Sequence, residues 1–453
     1  MPRPSKRVSP DTLGGRIRAA RQEMRLSLAE VAAERYSTSL ISQIERNRVD
    51  PSQESLHYLA ERLQLPVEDL LALAQQHRES EVEATRYKMY EERRLQAQQL
   101  LTNNRPREAL KSLEEVELTQ IPVQARWRLA ALRGQSYFNL REFRRAQHNF
   151  LYAVAEKPAV LPSDQAQEGM LLALHLAAAS RELGQLEEAA SHYETALSLM
   201  DASTSLRYIA EAHWGMALVL FEWARQLADD RGSTHVQGSE AEAALSHAES
   251  ARTLYQSIGD VLNAAALTCE VGLIEQAMGN LDGARKALRG VLDTWKPKLD
   301  EVVENTAAGR RRKQERANVV SAAACYLAGI ELEAGDYEAA RAYVEQAQEA
   351  GKESYTLRRA EALMMLGTIL EAQSAGHPEC DGTAAEEAFQ QAINELEKTE
   401  RVAAKIKALD LLGRHLLKKG KVAEGGKVLN RARRLSQFVP TESAISPESD
   451  NAS

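Results

Sequence analysis

The sequence predicts an all-α protein: a small head of five short helices, then a long solenoid of antiparallel helix pairs. Three observations carry this. The 453-residue chain is rich in Ala, Leu, Glu, Gln and Arg, with 13 prolines and 5% aromatic residues, a composition that favours helix. No run of alternating β-branched residues is long enough to make a strand. From about Thr85 to Phe438, small residues recur at a fixed spacing, the mark of a repeat array.

Residues 1–11, "MPRPSKRVSPD", read as a flexible basic arm. No apolar segment comes after it, so it is not a secretory signal, and no apolar run approaches the ~20 residues needed to span a bilayer. Cys269, Cys325 and Cys380 form no CxxC or Cys/His cluster, which suits a reducing cytosol. A soluble, cytoplasmic protein with no membrane partner is expected. Charge is unevenly spread. Residues 1–48 hold ten Lys/Arg against five Asp/Glu, while the whole chain carries −8. That asymmetry points to a polyanion-binding head on an acidic body.

The head, residues 12–77, contains five helical patterns. The first runs from Leu13 to Met24 with Leu13, Ile17, Ala20 and Met24 on one face. The second opens on "SLAE", where Ser27 and Glu30 make a capping box. The third, "STSLISQIER", has Ser37 as N-cap, and Asn47 takes the left-handed turn that ends it. "DPSQES" starts a fourth helix carrying Leu56, Leu59, Ala60 and Leu63. A fifth lies around "PVEDLLAL", with Pro66 in its first turn. In the third helix Ile41 and Ile44 face the core. Thr38, Ser39, Ser42 and Gln43 face outward, where short polar side chains can read base edges in a major groove about 12 Å wide. Gln43 is suited to adenine, and Arg46 and Arg48 are placed for phosphates.

The array, residues 78–438, is best seen in "ALRGQSYFNLREFRRAQHNFLYAVAEKP". From Gly134, Tyr137 follows at +3, Ala146 at +12, Phe150 at +16, Ala153 at +19 and Pro158 at +24. The small position recurs at Ala97, Ala177, Gly215, Gly272, Ala328, Gly367 and Gly413. Its +12 partners are Ala109, Ala189, Ala284, Ala340 and Gly425, with Ala385 in that role in the unit of Gly367, at +18. "DDRGSTHVQGS" stretches one unit, so Ala244 takes its role late, and "SAGHPECDG" stretches another. About eight helical pairs result. The Ser-rich, acidic tail, 439–453, is expected to be disordered.

This spacing resembles the tetratricopeptide repeat (TPR), which implies a right-handed α-solenoid. "LGGRIRAARQEMRLSLAEVA" with "STSLISQIERNRVDPSQESLHYLAERLQLPVEDLL" resembles the helix-turn-helix domain of the Cro/phage-repressor (XRE) type, a five-helix, λ-repressor-like DNA-binding fold. The resemblance implies base-side roles for Thr38, Ser39, Ser42 and Gln43, and an internal brace between Arg21 and Glu45. Two departures stand out. The turn "AAERYST" lacks the family's glycine and one residue, with Tyr36 filling the apolar place before the third helix. Leu28 replaces a polar residue that often touches phosphate. Affinity is then expected to lean on Arg3, Lys6 and Arg7 of the arm and on Arg16 and Arg18.

The array shows no HExxH, GxSxG or GxxxxGK[ST] pattern, so no enzyme, cofactor or metal is expected; His175, His192 and His213 are not read as ligands. Its first helices offer a groove for a peptide or protein, with candidate residues Arg133, Tyr137, His175, Arg181, Trp214, Glu222, Asn263 and Glu270. "GRRRKQER", residues 309–316, either binds an acidic peptide or phosphate, or is a solvated helix balancing "LDEVVEN" beside it. The whole resembles bacterial regulators that join such a head to TPR repeats. That implies double-stranded DNA as partner, homodimerisation through the array and, as in several of them, a sensed peptide. The alternative is a TPR scaffold with a weak or vestigial DNA-binding head.

Overall fold

A computed structural model describes residues 9, 11–114, 116, 121–233, 235–301, 306–375 and 383–436. Arg3, Lys6, Arg7, Cys380, most of "SAGHPECDG" and the tail lie outside them. The described residues are helical with no strand. Residues 1–96 with 114–122 form one compact unit, and 97–113 with 123–453 the other.

In the first unit, α1 (Leu13–Glu23), α2 (Leu28–Ala32), α3 (Thr38–Ile44) and α4 (Gln53–Arg62) each begin on a side-chain cap. Thr12, Ser37 and Ser52 accept from the backbone three residues on, and Ser27 with Glu30 forms the full capping box. Such caps matter because helices of 5–11 residues cannot hold themselves in water. One core collects Leu13, Ile17, Val31, Ile41, Ile44, Leu56, Leu59, Leu63 and Leu70. Met24 departs from expectation: it is the exposed C-cap of α1, beyond the last buried position Ala20. The fifth helix is also longer than the pattern around "PVEDLLAL" suggested. α5 (Val67–Thr102) continues for 36 residues because no Gly or Pro interrupts a run of strong helix formers.

The second unit is a TPR-like helical solenoid. After α5 comes α6 (Pro106–Glu114). Then α7 (Val123–Asn139) pairs with α8 (Phe143–Glu156), α9 (Ala166–Glu182) with α10 (Leu186–Ser198), and α11 (Leu206–Asp230) with α12 (Ser239–Ser257). α13 (Val261–Ala277) pairs with α14 (Leu281–Trp295), and α15 (Ala307–Glu333) with α16 (Tyr337–Lys352). α17 (Thr356–Ala375) pairs with α18 (Thr383–Glu397), and α19 (Val402–Lys418) with α20 (Val422–Ser436). The small positions are where paired helices touch. Ala97, Ala109, Ala146, Ala177, Ala189, Ala244, Ala284, Ala328, Ala340 and Ala385 are wholly buried. A methyl added at Gly134 would lie 2.5 Å from Phe150, at Gly367 2.6 Å from Phe389, and at Gly413 2.6 Å from Leu429. In the stretched unit the pairing shifts: the atoms nearest a methyl at Gly215 belong to Tyr193 of the preceding α10.

The last pair returns to earlier ones. Arg401 Nη1 lies 2.6 Å from Glu182 Oε2, and Arg414 lies 3.3 Å from Asp229. The Arg144 backbone N–H donates to Glu400 Oε2 at 2.9 Å, and a methyl at Gly184 would meet Ala403 at 3.7 Å. The array therefore closes on itself.

The two kinds of glycine separate by stability. Gly215→Ala would bring its methyl within 2.1 Å of the buried Tyr193 ring and is expected to cost about 1–3 kcal/mol. Gly290→Ala, inside α14 with open space around it, is expected to gain about 0.5–1 kcal/mol. Urea denaturation of the full chain reads both.

Candidate nucleic-acid interface and ligand groove

The short α3 is held from behind. Arg21 Nε and Nη2 bind Glu45 Oε1 and Oε2 at 2.5 and 2.8 Å, and Nη1 donates to the Leu26 carbonyl at 3.0 Å. Both side chains are nearly buried, so the bidentate pair fixes the end of α3 against α1. Asn47, left-handed at φ 50°, accepts from the Gly14 N–H at 2.8 Å and donates to Thr12 Oγ1 at 2.9 Å. Gly14 is required there: a Cβ would sit 2.3 Å from the Ile44 carbonyl oxygen.

With Ile41 and Ile44 buried, α3 turns a polar face outward. Thr38, Ser39 and Gln43 are exposed and Ser42 is half-buried; Arg46 and Arg48 are exposed just beyond, as are Arg16 and Arg18 on α1. The turn before α3 is unusual. Ala33 adopts φ 45°, ψ −150°, a region that suits glycine, so an alanine does what a glycine would do without strain. Tyr36 packs edge-to-face on Tyr58 at 5.1 Å, and the Tyr58 hydroxyl donates to the Val31 carbonyl at 2.9 Å.

In the array, the first helices of five successive pairs, α11, α13, α15, α17 and α19, line a cleft of about 380 Å3. On α15, α17 and α19, counted from the small position, residues at −2 (Tyr326, Met365, Leu411), −3 (Cys325, Met364) and −6 (Glu361, Lys407) line it; α11 and α13 contribute residues beyond theirs, such as Arg225 and Gln276. Positions −2 and −6 are four apart and so share a helix face. Beside the cleft is a polar network. Arg358 binds Glu361 at 2.7 Å, the Tyr326 hydroxyl at 3.0 Å, Asn318 at 3.2 Å and Glu270 at 3.4 Å. Burial raises the Glu270 carboxyl, against the pull of the Arg358 guanidinium.

None of the eight groove candidates lines this cleft. Glu270 joins the network beside it, and Glu222 lies 3.6 Å from Arg225, which does line it. Trp214 meets Tyr255 edge-on at 6.1 Å, and Tyr137 lies under Arg145. Asn263 binds the cap residue Asp260, Arg181 pairs with Glu182, and Arg133 donates to the Leu113 carbonyl. His175 stacks on Phe150 at 6.0 Å, and burial pushes its pKa down from 6.5 to about 4. Of the two cations that line the cleft, Lys407 could be found by reading the −6 position unit by unit; Arg225, ten residues after Gly215 in the lengthened α11, has no such frame. Much of "GRRRKQER" is paired: Arg311 with Glu315 at 2.7 Å, Lys313 with Glu353 at 3.3 Å, Arg316 with Glu301 at 2.8 Å. No helix among the described residues is long and apolar enough to cross a membrane, and no group of three metal-ligating side chains occurs there.

A family model for the tetratricopeptide repeat matches residues 327–393. No curated protein matches the sequence. A crystal structure of Rap protein complexed with competence and sporulation factor is similar at a TM-score of 0.51 and 12% identity, over 93% of this chain and 97% of that one. One of NprR in complex with its cognate peptide NprX is similar at 0.51 and 10% identity, over 77% and 89%. The Bacillus thuringiensis PlcR complex with the peptide PapR7 and DNA, at 0.31 and 15% identity over 63% and 96%, is too distant in shape to carry an argument. At these identities the likeness shows the fold.

Two outcomes follow from the geometry. Ala33→Gly relieves the strained turn and should slow hydrogen exchange of the α1–α4 amides in the full chain, a gain of about 0.5–1 kcal/mol. His175 is neutral in the fold and titrates at 6.5 when unfolded. Its contribution is therefore whole above pH 6.5 and lost as pH falls towards 4, by up to about 3 kcal/mol. His175→Phe should flatten that part of the stability–pH curve.

Proposed function

We propose that the chain is a sequence-specific DNA-binding transcriptional regulator that works as a homodimer, with its helical array taking a peptide ligand; it is a binding protein, not an enzyme. The observation that carries the reading is the outward face of α3. Thr38, Ser39, Ser42 and Gln43 gather on a helix of seven residues that the Arg21–Glu45 pair and the Gly14 contact hold rigid. A helix so presented fits a major groove, and Arg16, Arg18, Arg46 and Arg48 then meet phosphates on either side. One such head makes few contacts; two on a dimer read half-sites about one helical turn apart. For the array, the support is a cleft bounded by five first helices, in a fold shared with Rap and NprR, each solved with a peptide or factor bound.

Selection of bound duplexes from a random DNA library tests the head. The intact protein is expected to enrich an inverted repeat, with affinity falling steeply as salt rises, and the Ser42→Ala, Gln43→Ala double variant to lose it. If the intact protein enriches no sequence at moderate salt, the scaffold reading replaces this one.

A further inference from the structure

The charges lining the cleft between α11, α13, α15, α17 and α19 are unevenly matched. Of its three carboxylates, Asp229 meets Arg414 at 3.3 Å, Glu361 meets Arg358 at 2.7 Å, and Glu333 accepts from the Gln276 amide at 2.7 Å. The two lining cations are less well served. Arg225 lies over the Phe221 ring, and its neighbour Glu222, three residues earlier on the same helix, is 3.6 Å away. Lys407 makes no hydrogen bond or ion pair with any described residue.

Lys407 is open to the cleft, yet the Arg225 guanidinium first, and burial second, hold its ammonium below the usual lysine range. Two like charges, one from α11 and one from α19, line the same cleft. A bound anion would relieve that repulsion and gain attraction from both. Beside the cations the wall is apolar, with Met364, Met365 and Leu411. The size of the anion is also constrained. A cleft that already holds three carboxylates accepts one added negative charge more readily than the two of a phosphate ester.

We propose that the ligand of this groove is a peptide that presents a carboxylate to Lys407 and Arg225 and an apolar side chain to the methionines beside them. This deepens the peptide reading of the array and rests on it. The cleft volume of about 380 Å3 admits such a group, within the roughly 300–1,000 Å3 typical of ligand sites. The carboxylate is either the free C-terminus or an Asp or Glu side chain.

The test uses two synthetic pools of random heptapeptides, one with free C-termini and one amidated. Each is captured on the full-length protein and read by mass spectrometry, with Lys407→Met, Arg225→Met and Lys407→Arg beside the wild type. The expected result is enrichment of carboxylate-bearing peptides with an apolar neighbour. Their affinity should fall about 10- to 100-fold in Lys407→Met and in Arg225→Met, and be largely kept in Lys407→Arg. Unchanged thermal melting certifies that each variant folds. Dependence on the free C-terminus, or enrichment of acidic peptides from the amidated pool, tells the two sources apart and supports the proposal either way. Enrichment indifferent to carboxylates, or unaffected by Lys407→Met, overturns it and leaves the peptide reading standing. If neither pool yields a binder, the peptide reading falls and this inference with it.

Discussion

The close approach of paired helices at one small residue per turn of contact governs everything the array does. At Gly134, Gly367 and Gly413 there is no room for even a methyl, because an aromatic or leucine from the second helix fills the space. Backbones drawn that near set the tilt between helices, and the same tilt repeated along the chain sets the curvature. Curvature brings Arg401 to Glu182 and Arg414 to Asp229, and sets the first helices α11 to α19 around the cleft. The polar network around Arg358 is affordable only there: four partners from three helices satisfy one buried guanidinium, which alone would be strongly unfavourable.

The head rests on a smaller version of the same logic. Gly14 lets the start of α1 touch the end of α3, and the Arg21–Glu45 pair closes the gap behind it. Rigidity of the framework is what allows α3 to be short and polar. The strained Ala33 is tolerated because the capping box on one side and the Tyr36–Tyr58 contact on the other fix the turn between them.

Much of this was legible in the residues. The caps Ser27 and Ser37, the left-handed Asn47 and the small positions of the array are local signals, each set by chemistry within a few residues of itself. What escaped was set by distance. The groove candidates were chosen for being polar or aromatic on first helices. Arg133, Tyr137, His175 and Arg181 stand on α7 and α9, which do not line the cleft, and Glu270, at −2, joins the network beside it, whereas Lys407 stands six before its small position and lines it. The length of α5 was missed because the pattern around "PVEDLLAL" was read as a short helix, although no breaker residue follows it to mark an end. Tyr193 as the partner of Gly215 was hidden by the inserted "DDRGSTHVQGS", which displaces the usual +16 partner.

An open solenoid can lengthen or shorten by a whole unit during evolution, since each unit meets only its neighbours. This array has given up that freedom. Arg401 and Glu182 lie 219 residues apart in sequence and meet within one hydrogen bond, so one helical pair more or fewer between them would carry the arginine past its partner. Its repeat number is therefore a fixed architectural constant, and variation among descendants of this chain is confined to loops such as the one that already stretches the unit of α11 and α12.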